Sequence, residues 1–177
     1  MRDVLELQFD LTPPTREQMQ QFVADLNEED RHLLLEHGEE APFCGVFLHE
    51  RREGLYTCHL CGLPLFRAVA KFESGTGWPS FTAPVAKGHL RHIRDTRYGT
   101  VRTEIVCARC GAHQGHVFPD GPPPTGERFC INSGSLEFTP KGQPLPDKLG
   151  RGGPEGEPAR SLTVAEATLV ATGLSWR

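Results

Sequence analysis

Six cysteines in 177 residues offer the most chemistry in this chain, and their spacing divides them. Two residues separate Cys58 from Cys61 and Cys107 from Cys110, and a glycine follows each pair, Gly62 and Gly111. That interval lets both sulfurs of one turn face a single point. The glycine can take positive φ and let backbone N–H groups approach the sulfurs. Two such turns close a tetrahedral four-thiolate shell, the geometry of a structural zinc site with no coordination position left open. Two redox-active pairs, or buried free thiols, are the other readings of the same residues. Paired turns favour a metal where a single pair would not. His59, inside the first turn, reads as exposed and not as a ligand. His32, His37, His49, His89 and His92 lack ligand spacing and read as surface or packing residues.

Cys44 and Cys130 remain. Cys130 lies in the run RFCINSGS, with Arg128 two residues before it and Asn132 two residues after. On a strand these three share a face. The thiolate is the reactive form of cysteine, and the Arg128 charge is expected to lower the pKa of the thiol. Asn132 would orient a polar substrate. The same run also reads as a buried strand cysteine with neighbours set by packing. His113 and His116, just after the second cysteine pair, add two imidazoles suited to proton transfer near neutral pH. Trp78, held extended by Pro79, offers an indole wall for an apolar group, or a packing residue.

The elements that must position these side chains follow from periodicity. Met19, Phe22, Val23 and Leu26 recur at helical spacing, so 15–26 is predicted as a helix capped by Thr15. Asn27 is the predicted cap of a second helix ended by Gly38. From about residue 40 short runs rich in Val, Phe, Tyr, Thr and Ile predict strands: GLYTC, PLF, TVRTEIVC, GHVF, RFCIN and SLEF. PDGPPPTG reads as a surface loop. The expected organisation is an N-terminal helical extension over 1–25, a mainly antiparallel β core over 26–141, and a Pro/Gly-rich linker and tail over 142–177.

Composition bounds the setting. Hydrophobic residues make up 37% and the mean hydropathy is −0.40. No apolar run approaches the roughly 18 residues of a membrane span, so no membrane is expected. The acidic N-terminus does not read as a secretion signal, and a cytoplasmic location is the default. Eleven acidic residues crowd positions 1–40, whereas eight Lys/Arg lie over 58–110. A metal-stapled nucleic-acid module is one competing class, opposed by the net charge of −4. A thiol-based redox sensor is another.

Taken in order, PFCG, GLYTCHLCGLPLF, KFESGTGWPSF, EIVCARCGAHQGHVFPDGP and GERFCINSGSLEF resemble the B-type methionine sulfoxide reductases, over about Leu26 to Lys141. The resemblance implies two antiparallel β-sheets around the active site, short N-terminal helices and a structural zinc site remote from catalysis. By that resemblance Cys58, Cys61, Cys107 and Cys110 bind zinc and Cys130 is the nucleophile. His113 and His116 handle protons, Arg128 and Asn132 flank the thiol, and Trp78 binds the substrate methyl; Phe118 is a further expected substrate-binding residue. The implied reaction reduces the R epimer of peptidyl methionine sulfoxide and leaves a sulfenic acid on Cys130. One departure matters. Many members carry a resolving cysteine where this chain has Thr76. Cys44 is then the expected resolving thiol and thioredoxin the expected reductant, the rival being an external thiol acting directly on the sulfenic acid.

Overall fold

In the computed structural model the chain is described over residues 9–151. The first eight residues and residues 152–177, with the C-terminal stretch SLTVAEATLVATGLSWR, lie outside the described residues. Two helices open the described chain. In α1 (Arg16–Ala24) the Thr15 hydroxyl accepts from the Gln18 N–H, and the Gln18 side chain accepts from the Thr15 N–H. This reciprocal cap satisfies two otherwise orphaned donors. In α2 (Glu28–Leu35) the Asn27 side chain accepts from the Asp30 N–H. The left-handed residue after α2 is His37, at φ 57°, and not the expected Gly38. Gly38 is needed for a different reason: a Cβ there would lie 2.5 Å from the His32 ring.

Every strand expected from the sequence forms: β1 (Gly54–Cys58), β2 (Pro64–Arg67), β6 (Arg102–Cys107), β7 (His113–Phe118), β8 (Arg128–Ile131) and β9 (Leu136–Pro140). Three more appear, the short β3 (Lys71–Phe72) and β4 (Ser80–Phe81), and β5 (Leu90–Asp95). All pairing is antiparallel, in a three-stranded sheet ordered β2-β1-β9 and a six-stranded sheet ordered β3-β4-β8-β7-β6-β5.

Strand alternation sorts the larger sheet into two faces. Phe81, Phe129, Ile131 and Ile105 point into the core, where they meet Leu55, Tyr56, Leu65 and Phe66 of the smaller sheet. Phe66 stacks on Phe81 with ring centroids 4.3 Å apart, and Tyr56 meets Phe81 edge-on at 5.1 Å. Ser80, Cys130, His116 and Glu104, at the alternate positions of these strands, lie in register across the opposite face. The chain after α2 roofs this second face. Beyond β9, Leu145 and Leu149 are buried, and the Lys148 ammonium bonds Glu137 at 2.8 Å.

Candidate functional site

The four paired cysteines converge. Cys58 Sγ lies 3.7 Å from Cys110 Sγ and Cys61 Sγ 3.6 Å from Cys107 Sγ. Metal–sulfur bonds of about 2.3 Å at tetrahedral angles put sulfurs about 3.8 Å apart, so the cluster has the spacing of a four-thiolate metal site. The two turns are built alike. Gly62 N–H donates to Cys58 O at 2.8 Å and Gly111 N–H to Cys107 O at 2.8 Å. Both glycines hold the positive φ that this turn requires, 80° and 79°. One turn joins β1 to β2 and the other β6 to β7, so a bound metal ties the two sheets together. The Gln114 amide donates to Cys58 Sγ at 3.5 Å, a support that sequence reasoning did not find. His59 is half-buried and no ligand; its Nδ1 lies 2.9 Å from Gly134 O.

A cleft of about 180 Å³ opens on the outer face of the larger sheet, lined by Glu39, Thr76, Trp78, Arg102, Gly115, His116, Phe118, Arg128, Cys130 and Asn132. Cys130 is the cross-strand partner of His116 in β7 and of Ser80 in β4. Antiparallel partners project to the same side, which aims the thiol and the imidazole into one space. A register irregularity near Gln114 lets His113, only three residues before His116, also face Glu104, and the two imidazole centroids lie 5.6 Å apart. His113 is fully buried behind His116 and does not line the cleft.

The Cys130 thiol differs from the sequence expectation. Burial pushes it up to about 11, and the nearby Arg128 offsets only part of that rise. Arg128 is itself shared: it bonds Asp120 through Nε at 3.0 Å and Nη2 at 3.2 Å, and lies 4.6 Å over the Phe118 ring. Asp120 was invisible as a partner because it sits in the loop that composition marks only as surface. An acid whose pKa is raised stays protonated until higher pH, so the resting thiol is neutral near pH 7. In a Cys44→Ser protein, alkylation of Cys130 by iodoacetamide is therefore expected to keep rising from pH 9 towards about 11. Levelling near the free-thiol value of about 8.5 would contradict this.

Asn132 lies just beyond β8, buried, with its amide donating to Gly38 O at 2.9 Å and its Oδ1 accepting from Glu40 N–H at 3.2 Å. The Trp78 indole N–H donates to Glu40 O at 3.1 Å. The Glu40 carboxylate accepts from the Ser133 and Gly134 N–H groups, while burial holds its pKa above the usual range. Glu40, unremarked in the sequence, thus fixes both Trp78 and Asn132. His37 is not an ordinary surface residue: its Nδ1 bonds Glu104 Oε1. Cys44 is exposed and lies outside the cleft lining, on a segment held by the Phe43 N–H bond to Gly77 O at 2.7 Å. Thr76 lines the cleft, its hydroxyl 2.8 Å from Ser74 Oγ.

A cysteine and a histidine thus share one cleft beside a separate four-cysteine cluster on a two-sheet β scaffold, an arrangement suited to thiol chemistry. The SelR domain model matches residues 26–140, so the chain belongs to the SelR family, that of the B-type methionine sulfoxide reductases. It is 57% identical over 148 residues to a peptide methionine sulfoxide reductase MsrB of Xylella fastidiosa (strain M23), covering 84% of this chain and 96% of the relative. It is 60% identical over 144 residues to one of Caulobacter vibrioides (strain NA1000 / CB15N), covering 81% and 91%. A third, from Escherichia coli O139:H28, is 51% identical over 115 residues, covering 65% and 84%. No helix among the described residues is long and apolar enough to cross a membrane.

Proposed function

We propose that the protein is a peptide-methionine (R)-S-oxide reductase that repairs oxidised proteins in the cytoplasm, with Cys130 as nucleophile and zinc held by Cys58, Cys61, Cys107 and Cys110. The observation that carries this reading is the shared cleft: Cys130, His116, Trp78 and Asn132 all line it. The substrate methyl packs on Trp78, with Phe118 beside it, and Asn132 orients the sulfoxide. Cys130 sulfur attacks the sulfoxide sulfur as its proton passes to His116. His116, nearer the cleft than His113, returns that proton to the sulfoxide oxygen. Methionine leaves and the oxygen stays on Cys130 as sulfenic acid, so thiol plus sulfoxide balances sulfenic acid plus thioether. Arg128 stabilises the sulfur as it becomes anionic. Zinc closes a four-sulfur shell and takes no part in the chemistry.

Regeneration falls to Cys44. Its thiol condenses with the sulfenic acid to give a Cys44–Cys130 disulfide and water, and thioredoxin reduces that disulfide. Thr76 cannot do this, and Cys44 is the other thiol outside the metal cluster. Its position outside the cleft requires the PFCG segment to move first.

A thioredoxin-coupled assay on peptides carrying each sulfoxide epimer tests the reading. Turnover is expected on the R epimer only, and Cys130→Ser is expected to be inactive. Equal rates on both epimers, or an active Cys130→Ser, would overturn it. With substrate but no reductant, Cys44→Ser is expected to stop at the sulfenic acid. Unchanged disulfide formation in that variant would remove Cys44 from the scheme.

A further inference from the structure

Two carboxylates lie behind the cleft wall: Asp95 meets His116, and Glu104 meets both His113 and His37. Asp95 ends β5 opposite Arg102, and Glu104 lies in β6 opposite His116, so both carboxyls sit on the site face. One guanidinium spans them. Arg97 Nε donates to Asp95 Oδ1 at 2.8 Å, and Arg97 Nη2 to Glu104 Oε2 at 3.0 Å. The other oxygen of each carboxylate faces imidazole, with Arg102 Nη2 also 3.5 Å from Asp95 Oδ2. Asp95 Oδ2 is 2.8 Å from His116 Nε2, and Glu104 Oε1 is 2.7 Å from His113 Nδ1. The charged groups around His116 come from every packed element: Glu39 from the segment after α2, with its Oε1 at 3.9 Å from His116 Nδ1, then Asp95, Arg97, Arg102, Glu104 and His113.

A carboxylate is an acceptor only, so the nitrogen facing it must carry the proton. The Arg97 bond keeps Asp95 ionised, its pKa held well below the usual carboxylate range. His116 therefore turns Nε2–H inward and presents Nδ1 on the side of Glu39, a cleft residue. In the neutral ring that Nδ1 is bare.

We propose that Asp95, oriented by Arg97, is the positioning residue that sets the His116 tautomer, so that Nδ1 can take the Cys130 proton and deliver it to the sulfoxide oxygen. The proposal rests on His116 as the proton carrier. The S–H bond breaks as sulfur attacks, Nδ1 gains the proton, and the ring holds two N–H groups with Asp95 as counter-charge. Nδ1–H then gives its proton to the departing oxygen, and the neutral ring returns to its starting tautomer. No outside proton or reductant enters this half-reaction.

Arg97 makes the test sharp. In Asp95→Asn the Arg97 backbone N–H and guanidinium, both donors to Oδ1, hold the amide oxygen, so the NH₂ turns to His116. That NH₂ donates to Nε2 and moves the ring proton to Nδ1, the wrong tautomer for accepting the thiol proton. Imidazole ¹⁵N NMR is expected to find Nε2–H in the wild type and Nδ1–H in Asp95→Asn. kcat on an R-sulfoxide peptide is expected to fall on the order of 10²-fold or more, with KM within a few-fold. The Arg97 backbone N–H bonds Asp95 Oδ1 at 2.9 Å, so adding Arg97→Gln is expected to keep Nδ1–H and the lowered kcat. The tautomer is the readout that a merely structural role would not move. Nδ1–H in the wild-type enzyme would overturn the proposal without any variant. An unchanged tautomer or near-normal kcat in Asp95→Asn, beside an impaired His116→Gln, would overturn this proposal alone. A fully active His116→Gln would overturn the proton-carrier reading and the proposal with it.

Discussion

Replacing Cys61 or Cys107 by serine, or stripping the metal, is expected to cost the protein its fold and not only its activity. Cys58, Cys61 and Cys107 are buried within the same core as Leu60, Leu63 and Ala112. Their turns end one hairpin of each sheet, so the cluster bridges elements that otherwise meet through side-chain packing. A structural zinc site supplies about 10–16 kcal/mol of apparent binding free energy at neutral pH. An entire domain is stable by only about 5–15 kcal/mol. Losing the metal removes a term as large as the whole margin, and it leaves buried thiols with mutually repelling charge or unmet partners. Circular dichroism melting with metal analysis checks this. The ligand variants are expected to lack the metal and the cooperative transition. A metal-free variant that melts cooperatively within a few degrees of the wild type would contradict it.

The parts of this molecule legible in sequence are those where chemistry and periodicity coincide. The cysteine pairs announce themselves by type and spacing. The central strands do so because β-branched and aromatic residues alternate where one face is buried. β5 was hidden because LRHIRD is exposed at Arg91, His92, Ile93 and Arg94, on a strand with a neighbour on one side only. An edge strand with both faces wet carries no alternation to read. Missing β5 also hid Asp95, whose bond to His116 exists only because β5, β6 and β7 lie side by side.

The remaining silent residues are carboxylates. Glu40, Glu104 and Asp120 meet partners by folding, with Glu40 bonding Ser133 and Gly134 and Glu104 bonding His37 and His113. No local pattern announces such a pair. Arg128 teaches the complementary lesson. Its charge beside Cys130 was readable, but the burial that outweighs it was not, because desolvation depends on everything else that closes over the thiol.

Gly115→Ala is expected to disable the site with every reacting side chain still present. Gly115 sits beside the register irregularity in β7, directly across from Ile131 of β8. A Cβ on it would fall 2.0 Å from the Cys130 carbonyl oxygen. That atom is backbone in a paired strand and cannot swing aside as a flexible side chain would. β7 and β8 must therefore move apart, and the Cys130–His116 cross-strand pair lies one residue from the point of collision. Overpacking of this kind typically costs about 1–3 kcal/mol of stability. The activity cost is larger, because a displacement of about 1 Å between reacting groups can cost on the order of 10²-fold in rate. Gly115→Ala is expected to remain folded, melt several degrees lower and lose at least that factor in kcat. Gly126→Ala provides the comparison. Gly126 has positive φ, but a methyl on it would meet nothing within 4 Å, so strain without collision should leave kcat near normal. Equal kcat in the two variants would mean that the close approach of β7 to the Cys130 carbonyl does not set the geometry of the site.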